Sequence, residues 1–275
     1  MEPTRVPCRK HLRKFITQMQ ILSNTSLKDL NVPMLIYIEG NLASGKSSFI
    51  KIFENKPSVV TMAEPLKKWE DCIGHDLLKL KYEENEKYEF MFQAYANITR
   101  LEQLNQVCNE TGIKFMERSI HSSYQIFVKN SYETKNMDNL THFILKESHD
   151  IYTSGALKSL TSPDMVIYIK STPEICLNRL RKRDRNAEQT VGLEFLKQIH
   201  EKHEQWLNVD ESVNKLGCPI IIINGDQTKE QIQNEAAEIL KEIFKLAVEK
   251  KVIEHLSELC NNLSINFTGN DTVHN

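Results

Sequence analysis

At 275 residues, with a formal net charge of −2 and ordinary apolar and charged fractions, the chain can build one sizeable core and has no global attraction to nucleic acid or acidic membranes. Its six cysteines include no CxxC pair, which argues against a zinc site or a disulfide scaffold and for reduced thiols inside a cell. No apolar run reaches membrane-spanning length.

Residues 1–32 differ in kind from the rest. Arg5, Arg9, Lys10, Arg13 and Lys14 lie between Glu2 and Asp29 with no acid among them, and Leu12, Phe15, Ile16 and Met19 fall at helical spacing. The segment reads as a basic tail or as an organelle transit peptide, so an intracellular location is expected, in the cytoplasm or the mitochondrion. One domain is expected over residues 33–263, followed by a flexible polar tail, 264–275.

Within that domain, short apolar or β-branched runs recur at Leu35–Ile38, Val59–Met62, Ile113–Met116, Met165–Ile169 and Pro219–Ile223. Stretches of helical periodicity separate them, which predicts an α/β fold with a five-stranded parallel sheet flanked by helices. Near-continuous hydrophobicity in the last two runs is what strands buried on both faces require. Ligands in such folds sit beyond the carboxyl ends of the strands, so the polar residues after each run become candidates.

After the first run comes Gly40-Asn41-Leu42-Ala43-Ser44-Gly45-Lys46-Ser47, which fits the eight-position phosphate loop and leads into a helix-like segment from Ser48 to Phe53. In such a loop backbone N–H groups converge on phosphate oxygens, Lys46 adds a point charge, and the Ser47 hydroxyl is a ligand for Mg²⁺. Nucleoside triphosphate binding follows. After the second run stands Glu64, a carboxylate placed to accept a hydroxyl proton or simply a solvated strand-end acid. Phe90, Phe92 and Tyr95 surround Gln93 at helical positions, as a stacked, edge-read nucleobase requires, although an amphipathic core helix gives the same pattern. The third run ends in Glu117-Arg118-Ser119, where the carboxylate suits Mg²⁺ and the guanidinium suits phosphate, against a structural ion pair as the alternative. From Arg179 to Arg185 five cations stand against one acid. Arg179 and Arg183 share a helical face, as do Arg181 and Arg185, so the segment reads as a lid over a triphosphate or as a nucleic-acid patch; no nucleic-acid motif accompanies it.

These pieces, in this order, resemble the deoxyribonucleoside kinase family over about residues 34–207. The resemblance implies a phosphate-loop kinase fold with an arginine-rich lid, ATP and Mg²⁺ as cofactors, and phosphorylation of the 5′-hydroxyl of deoxynucleosides in nucleotide salvage for DNA precursor synthesis. It also implies a homodimer, with neither nucleic acid nor membrane as partner. By the same resemblance Glu64 is the base on the 5′-hydroxyl, Trp69 and Phe92 line the pocket, and Tyr82 binds the 3′-hydroxyl. Gln93 pairs with the base and Phe127 stacks on it. Arg118 contacts the 5′-oxygen and the transferred phosphoryl with Glu117 as its metal-side partner. Arg179, Arg183 and Arg185 match lid arginines and Glu188 the lid acid.

Three departures matter. Ala43 replaces a usual glycine and is expected to need ordinary φ/ψ. Ala187 stands where the family often has a second lid acid. Arg100 is present while Ser123 replaces its usual acidic partner, so Arg100 is expected to swing out and leave room for a thymine methyl; pyrimidines such as thymidine and deoxycytidine are favoured. The Gln93 amide is expected to flip to match either. A nucleoside monophosphate kinase of the thymidylate type is the alternative, sharing sheet, loop and lid but needing a grip on an acceptor phosphate.

Overall fold

The computed structural model describes residues 33–56, 58–107, 112–208 and 216–267, with side chains through residue 251. The possible transit segment and the last eight residues lie outside the described residues. Strands β1 (Met34–Gly40), β2 (Val59–Met62), β3 (Ile113–Glu117), β4 (Met165–Lys170) and β5 (Ile220–Asn224) form one sheet in the order β2-β3-β1-β4-β5. All four pairings are parallel, with Ile36 opposite Phe115 on one side of β1 and opposite Met165 on the other. This is the expected α/β architecture, and every predicted run is a strand, but β5 is an edge strand with only Ile223 buried, so its apolar run does not mark burial on both faces. β1 and β3 are wholly buried because helices cover both faces of the sheet, which is why their sequences run apolar without alternation.

Eight helices matter here: α1 (Lys46–Ile50), α2 (Leu66–Glu70), α3 (Leu77–Glu83), α4 (Asn85–Gln106), α5 (Asn139–Tyr152), α6 (Pro173–Arg183), α7 (Leu193–Leu207) and α8 (Lys229–Phe267). Between β3 and α5 the chain passes through Ile120–Ser122, a π-helical turn Ser123–Val128 and a further helical turn, Lys129–Glu133. Residues Pro33–Ala236 form one compact unit, and the chain from Ala237 onward belongs to a second, described as the continuation of α8.

The strand order explains the site. β2, β3 and β1 are neighbours, so the carboxyl ends of three adjacent strands deliver Glu64, Glu117-Arg118 and the phosphate loop to one edge of the unit. The core beneath is aromatic: Phe53 stacks on Phe115 at 4.4 Å between ring centroids and Phe49 meets Phe53 edge-on, seating α1 on the sheet directly behind the loop.

Candidate active site

The loop geometry follows from close approach. A Cβ at Gly40 would lie 2.5 Å from the Ile169 carbonyl oxygen, so only glycine lets β1 turn into the loop beside β4. Asn41 bolts the loop in place: its Nδ2 donates to the Leu196 carbonyl of α7 at 2.8 Å and its Oδ1 accepts from Leu42 N. Gly40 and Asn41 line neither of the two cavities described below. Ala43 corrects the sequence expectation. Its φ is +55°, in the left-handed region that costs an L-residue about 1–2 kcal/mol, because the loop backbone must turn there whatever residue occupies it. Ala43→Gly should therefore stabilise the fold by up to about 1 kcal/mol, less the entropy the new glycine adds to the unfolded chain. Denaturant midpoints check this; a clear loss of stability would contradict it.

Lys46 is 4% exposed and its Nζ donates to the Asn41 carbonyl at 2.7 Å. Burial and the neighbouring Arg118 guanidinium pull its pKa down to about 8, so the loop holds a cation short of counter-charge. The Ser47 hydroxyl donates to Glu117 Oε1 at 2.9 Å. Burial, together with the Glu64 charge, raises the Glu117 pKa, which an added cation would reverse. These paired oxygens from a hydroxyl and a carboxylate are hard ligands, the donor chemistry that Mg²⁺ requires.

Glu64 lies at the centre of the other charges. Its Oε1 accepts from Arg100 Nη2 at 3.2 Å and is ion-paired with Arg118, whose Nε lies 3.1 Å away. Burial alone would raise its pKa, but Arg118, Arg100 and Lys46 outweigh that and hold it below the usual carboxylate range. Arg118 is buried, lies over the Phe127 ring at 4.9 Å and sits at φ +62°, a strained backbone maintained where strand β3 turns into the Ser119 cap. That turn is fixed from β1: Ser119 Oγ donates to the buried Glu39 Oε1 at 2.6 Å, while Ser119 and Ser122 cap each other reciprocally.

Two cavities flank this group. One, of about 280 Å³, is lined by Glu64, Trp69, Tyr82, Phe92, Gln93, Arg100, Phe127 and Glu188. The other, of about 740 Å³, is lined by Ala43 to Ser48, Arg179 and, from the loop after β5 and the start of α8, Gln227, Lys229, Ile232 and Gln233. Lys46, Ser47, Glu117, Arg183 and Arg185 border both, whereas Glu64 and Arg118 face only the first. A transferable group at this boundary would thus have the loop on one side and the carboxylate on the other.

Several expectations are corrected. Arg100 does not swing out: it is 3% exposed, donates to Ser123 Oγ at 2.5 Å and to Glu64, and lies over Trp69 at 5.3 Å, because the serine hydroxyl and Glu64 together replace an acidic partner. Ser123 is fully buried behind Arg100 and lines neither cavity. Phe90 is exposed and lines neither cavity, leaving Phe92 with Trp69 (5.3 Å, edge-on) as the aromatic wall. Helix α6 ends at Arg183, where Asp184 takes a left-handed φ of +51°, so Arg185 lies beyond the helix and shares no face with Arg181. Arg181 instead donates to the Gln189 and Val191 carbonyls, holding the loop. Arg183 and Arg185 both reach the buried Glu188, while Arg179 donates to the Ser44 carbonyl.

A family model described as deoxynucleoside kinase matches residues 36–249. The chain belongs to the deoxynucleoside kinase family. It is 34% identical over 199 residues to mitochondrial thymidine kinase 2 of Homo sapiens, covering 72% of this chain and 73% of that protein. It is 35% identical over 194 residues to deoxycytidine kinase of Mus musculus, covering 62% and 74%, and 29% identical over 228 residues to deoxycytidine kinase 2 of Gallus gallus, covering 73% and 86%. This kinase is a phosphotransferase acting on deoxynucleosides in nucleotide salvage. The monophosphate-kinase alternative is set aside.

Reading the sequence of this kinase missed four groups. Glu39 and the Gln227–Gln233 segment belong to no motif. Lys81 and Glu89 belong to no motif either, yet each has a side chain only 2% exposed. The one signal available was position: Glu89 lies four residues before Gln93, on the same helical face.

Proposed function

We propose that this kinase transfers the γ-phosphoryl group of ATP, with Mg²⁺, to the 5′-hydroxyl of a deoxyribonucleoside, pyrimidines preferred. The larger cavity takes the donor and the smaller one the acceptor. The observation that carries this reading is the boundary between them, where the phosphate loop and lid arginines border both cavities while Glu64 faces only the acceptor side.

Catalysis is positioning plus charge neutralisation, since a phosphoryl group passes through a loose transition state with charge spread over its oxygens. Lys46 and the loop backbone hold the donor phosphates, and Ser47 and Glu117 would hold the metal, which when bound neutralises phosphate charge. Tyr82 and Glu188 orient the sugar, Phe127 and Trp69 sandwich the base and Gln93 reads its edge. Glu64 takes the hydroxyl proton, and Arg118 with Arg183 and Arg185 stabilises the transferring charge.

Release of ADP, measured with each of the four natural deoxynucleosides and with uridine and cytidine, tests the reading. Deoxynucleoside-dependent release is expected; phosphate release indifferent to nucleoside would sink it. Tyr82 is half-buried, packed edge-on against Phe195 at 6.1 Å, with the buried Glu188 charge among the groups that raise its pKa after burial itself. That packing leaves little room for a 2′-hydroxyl. Uridine should be used about tenfold or more less efficiently than deoxyuridine, the scale of discrimination available to one misplaced polar group; comparable rates would contradict the assignment of Tyr82.

The family match to residue 249 supports a catalytic domain over 33–263. Met91 and Ile98 on α4, with Leu140, Phe143 and Ile151 on α5, are exposed apolar side chains at helical spacing, which supports a homodimer. No described helix is long and apolar enough to cross a membrane. An intracellular site, in the cytoplasm or the mitochondrion, is the proposed location.

A further inference from the structure

Helix α4 carries Asn85, Glu89 and Gln93 four residues apart, and Lys81 reaches the same place from α3. Glu89 Oε1 accepts from Gln93 Nε2 at 3.0 Å, its Oε2 accepts from Asn85 Nδ2 at 3.0 Å, and the Lys81 ammonium stands 3.7 Å from Oε2. Glu89 and Gln93 are each 1% exposed and Lys81 2%. Lys81 and Gln93 both line the acceptor cavity, and the Lys81 ammonium lies 4.2 Å from the centroid of Tyr82 and 5.3 Å from that of Phe127. Replacing such a buried ion pair by apolar residues often leaves stability unchanged or improved, so its presence is weak evidence of a stabilising role.

Its chemical consequence is orientation. A carboxylate only accepts hydrogen bonds, so the Gln93 amide must turn its nitrogen toward Glu89. What remains is Gln93 Oε1, a buried acceptor with no partner. A 4-oxo pyrimidine presents an N3–H donor beside a carbonyl, whereas a 4-amino pyrimidine presents an N3 acceptor beside an amino donor. Docked in one position the two require opposite amide orientations. A free glutamine serves both by flipping, but here the flip would set Oε1 against a carboxylate. Lys81 adds a cation on the same wall, which suits a base carbonyl and opposes an exocyclic amino group.

We propose that Glu89, held by Lys81, locks the Gln93 amide with Oε1 toward N3 of the base and so makes this kinase select 4-oxo over 4-amino pyrimidine deoxynucleosides. The inference rests on the reading of Gln93 as the residue that meets the base.

Deoxyuridine and deoxycytidine test it, since they differ at position 4 and lack the thymine methyl. The wild type should favour deoxyuridine in kcat/KM by about tenfold or more, the scale of one unmatched buried polar group. In Lys81→Met/Glu89→Gln, which removes both charges at nearly constant volume, the ratio should fall about tenfold, with deoxycytidine gaining in kcat/KM as the amide becomes free to flip. Should the double variant show no cooperative thermal transition, Glu89→Gln alone is read by the same ratio. An unchanged ratio, or an equal loss on both nucleosides, would make the pair merely structural and overturn the proposal. A wild type that uses both nucleosides equally, or prefers deoxycytidine, rejects the lock alone; one that uses no deoxynucleoside rejects the acceptor-pocket reading and the lock with it.

Discussion

Glu64→Gln should lower kcat by about 10²–10⁴, the usual worth of a positioned general base, while deoxynucleoside affinity stays within a few fold. Glu64 spends one oxygen on Arg118 and Arg100, and glutamine keeps an acceptor there. What it loses is the capacity to take a proton. Calorimetric nucleoside binding alongside single-turnover ADP formation separates the two effects, and near-normal turnover would move the role to Glu117, the other carboxylate at the boundary. The pH dependence gives a second readout. Because the guanidiniums outweigh burial and hold the Glu64 pKa below 4.5, the carboxylate stays ionised from neutral pH down to that value, and the acid limb of kcat/KM should lie below it. The same sign governs stability: the ion pair's contribution is complete above about pH 4.5 and is lost as the pH falls through the depressed folded-state value. Arg100→Leu removes one of the groups responsible, so it should move the acid limb upward.

How much of this was legible in the sequence depends on whether a feature is local. Met165–Ile169 was readable because a parallel strand buried on both faces must be apolar at every position, whereas Ile220–Ile223 carries the same pattern at the sheet edge with only Ile223 buried and Ile222 43% exposed. Glu64 and Glu117 were readable because ligands collect beyond strand ends, wherever the intervening helices run. The Arg100 tether was not, since it depends on a serine hydroxyl brought 23 positions along the chain by a π-helical turn whose altered register no local pattern announces. Ala43 was misread for a related reason. A residue's type states a preference for φ, but the loop between β1 and α1 imposes its own, and here the loop prevails. Lys81 and Glu89 were not legible either, because no local pattern announces that tertiary structure will bury each beside a partner of opposite sign.

Lys46→Met should reduce turnover about 10³-fold or more, on the scale of removing one cation from a transferring phosphoryl group, and should do so without unfolding the enzyme. Methionine matches the length and volume of the lysine stem, so the surrounding packing survives. The exchange leaves the Asn41 carbonyl without its 2.7 Å donor, which costs stability, and removes an ammonium whose pKa burial has already lowered to about 8, which restores it. The two effects oppose each other, so the thermal transition of the nucleotide-free protein should move little. Donor binding is where the loss should appear. ATP raises the transition of the wild type in proportion to its occupancy, and that increment should shrink in the variant because the phosphates lose their only buried cation from the loop itself, while Arg183 and Arg185 are engaged by Glu188. Deoxynucleoside binding at the other cavity should persist. A Lys46→Met enzyme that kept appreciable turnover would show that the lid arginines alone neutralise the phosphates, and the division of labour between loop and lid would have to be redrawn.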